Sequence, residues 1–315
     1  MRTEYTWPKR AKRKIRGLIR KWLERVSTQF VKMYYMILPF RNGINNKEQR
    51  SPRIIVSFTS YPKRFTSIPL VVKSILYQSC KPDKIILYLA QSECMERLPK
   101  QLLKLQKYGL EIVFVNDNLK SHKKYFYSMS AYPDDIIITI DDDLLYPKNM
   151  ITMLYKSYHN YPDCVSASRV RRMKIRNHKL CKYDEWDNCY KKEHIPSHWL
   201  FAIGCGGTLY PPGILPKVTF DRTNIERICF NADDVWLKFM ELMNDIKVVY
   251  VPGANDRLWL NGKFGRKGLA YLNVERDQND TYIENVGRFF DFNVEEFLMK
   301  AEGKHEKVSK VSSVV

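Results

Sequence analysis

Three carboxylates stand side by side at Asp141-Asp142-Asp143, directly after the apolar run Ile136–Ile140 and just before Leu144-Leu145-Tyr146-Pro147. Adjacent carboxylates repel one another, so such a triplet needs a cation or a hydrogen-bond network beside it. A hard divalent ion takes one or two carboxylates and completes its shell with phosphate oxygens and water, an arrangement that neutralises a departing diphosphate. The plainer reading is a solvated acidic turn that caps a following helix over 147–158. A second acid pair, Asp233-Asp234, follows Phe230-Asn231-Ala232. There Asn231 is expected to cap a helix whose first turn holds both acids, where the helix dipole favours negative charge. Between the two acid sites lies His198-Trp199, then Gly204-Cys205-Gly206-Gly207. Glycines permit close backbone approach to a ligand and aromatic faces stack on sugar rings; a turn with core aromatics is the alternative. A lone histidine such as His198 is more often hydrogen-bonded than metal-ligating.

These residues need a scaffold, and the pattern around them is regular. Short apolar runs predict strands over 53–58, 84–89, 111–115 and 136–140, separated by helical periodicity over 67–79, 95–107 and 121–131. Alternation of this kind predicts right-handed βαβ units, and so an α/β fold with a mostly parallel sheet flanked by helices. Ligands of such sheets bind beyond the carboxyl ends of the strands, which is where the acid triplet falls. The polar run 168–194 is expected to be a mobile loop over the cleft.

Charge divides the chain. Of a net +19, residues 1–50 supply +11, with 14 Lys/Arg against three Asp/Glu. Residues 9–38 predict a basic amphipathic helix, apolar at Ile15, Leu18, Ile19, Trp22, Leu23, Val26, Phe30 and Val31. No apolar run there is long enough to span a bilayer, so the helix suits an anionic membrane surface or packs on protein. Residues 41–52 read as a linker. The seven cysteines are odd in number and none forms C-x-x-C, so they are expected to be reduced thiols. With no secretory signal the expected location is cytoplasmic, peripheral at the inner face of the membrane. The expected division is a leader and linker over 1–50, a catalytic domain over 51–295 split near 147, and a polar tail over 296–315. The body carries no recognisable nucleic-acid module, and no nucleic-acid partner is expected.

The stretch Ile54–Asp143 resembles the nucleotide-binding half of a GT-A glycosyltransferase, most like the family-2-type enzymes of bacterial surface-polysaccharide assembly. Ile54-Ile55-Val56-Ser57-Phe58-Thr59-Ser60-Tyr61 is similar to their first strand and the loop that meets the nucleoside. Asp141-Asp142-Asp143 is similar to their DXD motif. The resemblance implies a Rossmann-like donor half and an acceptor half, a UDP-type nucleotide-sugar donor, and Mn2+ or Mg2+ at Asp143 and Asp141. It implies donor contacts from Asp142, Thr59, Ser60, Tyr61, Arg64 and Lys124. The family's second strand commonly ends in an acidic pair; here it ends Tyr88-Leu89-Ala90-Gln91-Ser92, leaving Asp117 to take part of that role and the base open. Asp233-Asp234 resembles the acid pair of inverting members, implying Asp234 as general base with Asp233 positioning. Trp199, Gly206, Gly207 and Trp236 would line the donor sugar and the acceptor, a hydroxyl of a glycan or lipid-linked glycan. A metal-dependent phosphohydrolase and a basic nucleic-acid-binding protein are the rival readings.

Overall fold

Seven short strands share one sheet, and six of them run in the same direction. The computed structural model describes residues 9–47, 49–94, 98–188, 190, 194–255, 259–260 and 278–302. Its strands are β1 (Ile54–Thr59), β2 (Lys84–Ala90), β3 (Leu110–Val115), β4 (Ile136–Thr139), β5 (Leu144–Leu145), β6 (Cys164–Ala167), β7 (Val170–Arg172), β8 (Ile175–Arg176), β9 (Lys179–Leu180), β10 (Leu200–Ala202), β11 (Thr208–Tyr210), β12 (Lys247–Tyr250) and β13 (Trp259–Leu260). Its helices are α1 (Lys9–Ile37), α2 (Ile68–Leu76), α3 (Lys100–Lys104), α4 (Lys123–Ala131), α5 (Met150–Asn160), α6 (Arg222–Ile228), α7 (Asp233–Met243) and α8 (Gln278–Phe289). The large sheet is ordered β12-β6-β11-β4-β1-β2-β3, and only β11 is antiparallel to its neighbours. This is the α/β architecture with a mostly parallel sheet that the alternation predicts.

β1, β2 and β4 are apolar without alternation because both faces of the sheet are covered there. Ile54, Ile55, Val56 and Phe58 of β1 are all fully buried. On one face, α2 and α5 bring Ile68, Val71, Ile75, Met150 and Leu154 into a core with β1, β2 and β4. On the other, Tyr125 of α4, Val235 and Trp236 of α7 and Val286 of α8 form a second core with β10 and β12. Ser57, the polar break in β1, is satisfied by donating to the carbonyl of Lys124. That bond pins the start of α4 to the strand beside the acid triplet.

Several boundaries differ from expectation. The helix expected over 95–107 is only Lys100–Lys104 followed by a 3-10 turn, Leu105–Tyr108, which ends where Gly109 adopts φ +107°; residues 95–97 lie outside the described residues. The described part of the run expected to be a mobile loop, 168–188, 190 and 194, is built into the body instead. Its β7 pairs with β10, β8 with β9, and Tyr183 and Trp186 are buried against Phe201. Arg171 and Arg172 do not mark a solvated loop, because they lie along aromatic rings: Arg171 sits 4.3 Å above Tyr183 and Arg172 4.9 Å from the Trp199 ring. The segment read as a linker is tied to the body: Asn45 N–H donates to the Pro82 carbonyl and its amide to Asp83, and Arg41 stacks on Tyr77 at 3.9 Å. The described cysteines carry free thiols, and Cys189 lies outside the described residues. Among the described residues no helix is long and apolar enough to cross a membrane.

His122, just before α4, is fully buried and bridges to the residue that ends α6. Its Nε2 donates to the Cys229 carbonyl at 2.9 Å, and its Nδ1 accepts from the Tyr125 hydroxyl at 2.9 Å. Burial holds its pKa down to about 4. A depressed histidine pKa contributes stability above its unfolded value, about 6.5, and loses it as pH falls toward 4. Thermal melts should therefore fall between about pH 6.5 and pH 4 more steeply in the native protein than in His122→Gln. Equal slopes would show that His122 titrates freely in the folded state.

Candidate active site

Because β11 alone runs backwards, its first residue lies at the same edge as the last residues of the parallel strands. Thr208 is opposite Thr139 of β4 and Ala167 of β6. Three segments thus meet at the carboxyl edge: Thr59–Tyr61 after β1, Asp141–Asp143 after β4, and Gly204–Gly207 before β11. This is the edge where open α/β sheets bind ligands, and β1, whose neighbours β4 and β2 lead the chain in opposite directions, is the point where the strand order switches.

The acid triplet is divided by what each carboxylate touches. Asp142 points inward and is 4% exposed. It accepts from the Ser60 hydroxyl and pairs with Arg64 Nη1 at 2.7 Å, while Ser67 Oγ donates to its carbonyl at 2.7 Å. Asp143 meets the same Arg64 Nη1 at 3.1 Å. Burial, followed by the neighbouring Asp141, pushes the Asp143 pKa up to about 7, even with Arg64 opposing. Asp141 turns toward α4 and pairs with Lys124 Nζ at 2.8 Å.

Lys124 is the hinge of the site. It is 4% exposed, and its ammonium lies 2.8 Å from Asp141 and 2.9 Å from Asp233, so it joins the two acid motifs across a long stretch of sequence. Burial lowers its pKa, and Asp141, Asp233 and Asp234 together lift it well above the ordinary lysine value. The preceding Lys123 turns away, donating to Asn118 at 2.7 Å.

Asp233 and Asp234 open α7 as expected, although the cap is Ala232; Asn231 instead donates to the Tyr282 hydroxyl. Burial opposes charge on both. For Asp233, Lys124 overcomes it and holds the pKa below the usual carboxylate value. Asp234 keeps a pKa well above that range, from burial and then from repulsion by Asp233. Its Oδ1 accepts from the Gly204 N–H at 3.1 Å. A Cβ on Gly204 would sit 2.7 Å from that oxygen and 3.2 Å from Lys124 Nζ, so only glycine admits the contact. Gly207 turns the chain into β11 at φ +99°.

Two further residues belong to the site without any signal in the sequence. Nothing there separates Tyr146 from other core aromatics. Its buried hydroxyl accepts from the Asp141 N–H at 2.8 Å and donates to the Cys205 carbonyl at 2.9 Å, fastening the acid loop to the glycine turn. Arg169, just after β6, is one arginine among several in a basic run; its stem lies 2.6 Å from where a Gly206 Cβ would be.

The other expected residues are distributed unevenly. Tyr61 and Arg64 border the acid loop, the guanidinium 5.5 Å from the tyrosine ring, and Tyr61 is exposed. Thr59 spends its hydroxyl on the Tyr88 carbonyl at 2.8 Å. Asp117 is paired with Arg222 at 2.7 Å on the rim. Gly206 accepts from Ser168 and Asn255 on its carbonyl, inside the turn. Two tryptophans are not at the site. Trp236 is fully buried with its indole N–H donating to the Thr219 carbonyl at 2.9 Å, and Trp199 packs in the same core. Neither serves as a ligand contact, because α7 and the start of β10 turn these large apolar faces toward the core beneath the cleft. His198 is buried 3.1 Å from Asp245.

The donor set suits a hard cation only in part. Among the described residues no group of three or more His, Cys, Asp or Glu side chains converges as an all-protein cage. Asp141 and Asp143 are nevertheless two neighbouring oxygen donors, and repulsion from Asp141 adds to burial in raising the Asp143 pKa. Two carboxylates fit Mg2+ or Mn2+ held jointly with phosphate oxygens.

Lys124→Met should lower stability by about 3 kcal/mol or more, since it strands buried carboxylates without their cation. Chemical denaturation measures this, and a change under about 1 kcal/mol would show that the pairs are solvent-screened.

No protein-family model matches the chain, and no curated protein matches it. Among solved structures it is similar to the mannosyltransferase PcManGT from Pyrobaculum calidifontis in complex with GDP-Man and Mn2+, at 11% identity and a TM-score of 0.49, over 86% of this chain and 72% of that one. It is similar to a CMP:2-keto-3-deoxy-manno-octonic acid synthetase complexed with CTP at 12% identity and a TM-score of 0.38, over 64% and 88%. It is similar to S. aureus TarS, residues 1–349, at 10% identity and a TM-score of 0.41, over 62% and 58%. Likeness at this level transfers no residue role and no substrate.

Proposed function

We propose that the chain is a metal-dependent glycosyltransferase that moves a sugar from a nucleoside-diphosphate donor, UDP-type by the resemblance of Ile54–Asp143, to a hydroxyl of a glycan or lipid-linked acceptor. The observation that carries this reading is the meeting of a strand-end acid triplet and a helix-start acid pair on one buried lysine, Lys124, at the ligand-binding edge of the sheet.

In this reading Tyr61 offers an exposed ring to the nucleoside, and Arg64 orders the acid loop by holding Asp142 and Asp143 together. Asp143 and Asp141 would hold Mn2+ or Mg2+ with the donor diphosphate, and the ion supplies positive charge to the leaving group. Arg169, beside the glycine turn, is placed to add to that charge.

Asp234 is the general base. The acceptor oxygen forms its bond to the anomeric carbon as the bond to diphosphate breaks, and the hydroxyl proton passes to the Asp234 carboxylate. Two features suit Asp234 to this role. The N–H of Gly204 fixes one of its oxygens, and burial with the repulsion of Asp233 raises its proton affinity above that of an ordinary carboxylate. Asp233, kept anionic by Lys124, sets the local field without taking the proton. Displacement from the face opposite the diphosphate inverts the anomeric centre.

Two substitutions test this. Asp234→Asn is nearly isosteric and should lower kcat by about 10²–10⁴-fold with little change in melting temperature. If the acids only cap α7, the same change shifts stability by about 0.3–1 kcal/mol and leaves the rate alone. Asp143→Ala should abolish the Mn2+ dependence of nucleoside-diphosphate release from a panel of UDP-, GDP- and dTDP-sugars. Retained metal response in that variant, or a product of retained anomeric configuration by NMR, contradicts the assignment.

A further inference from the structure

α1 leaves one long face uncovered. Trp22, Leu23, Phe30, Met33, Tyr34 and Ile37 are all more than half exposed, Phe30 at 66% and Ile37 at 80%. At 3.6 residues per turn they fall within an arc of about 120° on one side of the helix. Tyr35 points the other way: it is 4% exposed, and its hydroxyl donates to the Tyr146 carbonyl at 3.1 Å. The helix is therefore seated on the body by one side and offers an apolar stripe on another. Elsewhere among the described residues, exposed large apolar side chains, such as Phe114 and Ile195, are scattered rather than gathered in a stripe. Stripes of this kind mark an interaction surface.

Charge chooses the occupant. The first fifty residues carry 14 Lys/Arg against three Asp/Glu. Pairing two copies through this face would bring two strongly basic segments together, whereas an anionic lipid surface neutralises them. No described helix can cross a bilayer, so α1 would lie in the plane of the interface. We propose that the exposed stripe of α1 docks the protein on anionic lipid, with Trp22, Phe30 and Ile37 entering the headgroup boundary and the basic residues of the leader meeting the lipid charge. The docking also places the site: the end of α1 rests on Tyr146, whose hydroxyl holds the acid loop, so the catalytic edge stays tethered close to the surface. The docking stands whether or not the chain transfers sugars.

The test is co-sedimentation of the full chain with phosphatidylcholine vesicles, with and without phosphatidylglycerol, at low and high salt. The native chain should bind the phosphatidylglycerol vesicles and be released by salt. The triple variant Trp22→Ser, Phe30→Ser, Ile37→Ser should keep its melting temperature and lose at least about tenfold in affinity. Equal binding by the two proteins would overturn the proposal. So would a lipid-free dimer that the triple variant dissociates, which would assign the stripe to a second copy. A triple variant that no longer folds would overturn it too, because it would show the stripe packed within the chain.

Discussion

A lysine in a protein interior is tolerated only where carboxylates replace the water it has lost, and Lys124 meets this condition with acids from two distant parts of the chain. The constraint works in both directions. Asp141 and Asp233 each meet the ammonium in place of water, and the neighbouring carboxylates hold its pKa up against burial. Folding must therefore bring β4, α4 and α7 together at one point, or leave an uncompensated charge buried. Ser57 and Tyr146 hold the backbone of two of these elements in place, one at the start of α4 and the other at the acid loop.

The backward strand β11 follows from the same requirement. Asp234 needs a donor from the opposite side of the cleft, and no parallel strand can supply one from its start, because its first residues lie at the far edge of the sheet. Reversing β11 delivers the Gly204–Gly207 turn to the active edge, and glycine at 204 lets the backbone come within hydrogen-bond reach of Asp234 without displacing Lys124. The local chemistry of the turn and the topology of the sheet are two views of one demand.

What can be read from the sequence follows the range of the interactions. β1 to β4, the helices α2 and α4 and the acid triplet at the tip of β4 are legible, because periodicity and strand-end position are local properties. Asp233 and Asp234 at a helix start are legible for the same reason, though the true cap, Ala232, carries no side-chain signal. The bond from Lys124 to Asp233 leaves no trace in the sequence, since nothing in a Lys-Lys pair shows which member turns inward. Trp199 and Trp236 have the ring chemistry of sugar contacts, and burial overrides it. The strands within 168–194 are hidden by arginines whose charge suggests solvent while their side chains pack on Tyr183 and Trp199.

Two adjacent acids on one helix turn end up with opposite proton affinities, and their neighbours explain why. Asp233 faces Lys124 and lies near His122, which stays neutral at ordinary pH and so leaves the lysine as the full positive charge beside it. Asp234 faces a backbone N–H, and neither that dipole nor the charge of Lys124 offsets burial and the repulsion of Asp233. A carboxylate in direct contact with a full cation has little affinity for a proton, whereas one resting on a dipole has more. The difference in proton affinity between the two acids is thus set by which face of the first turn of α7 meets the buried lysine.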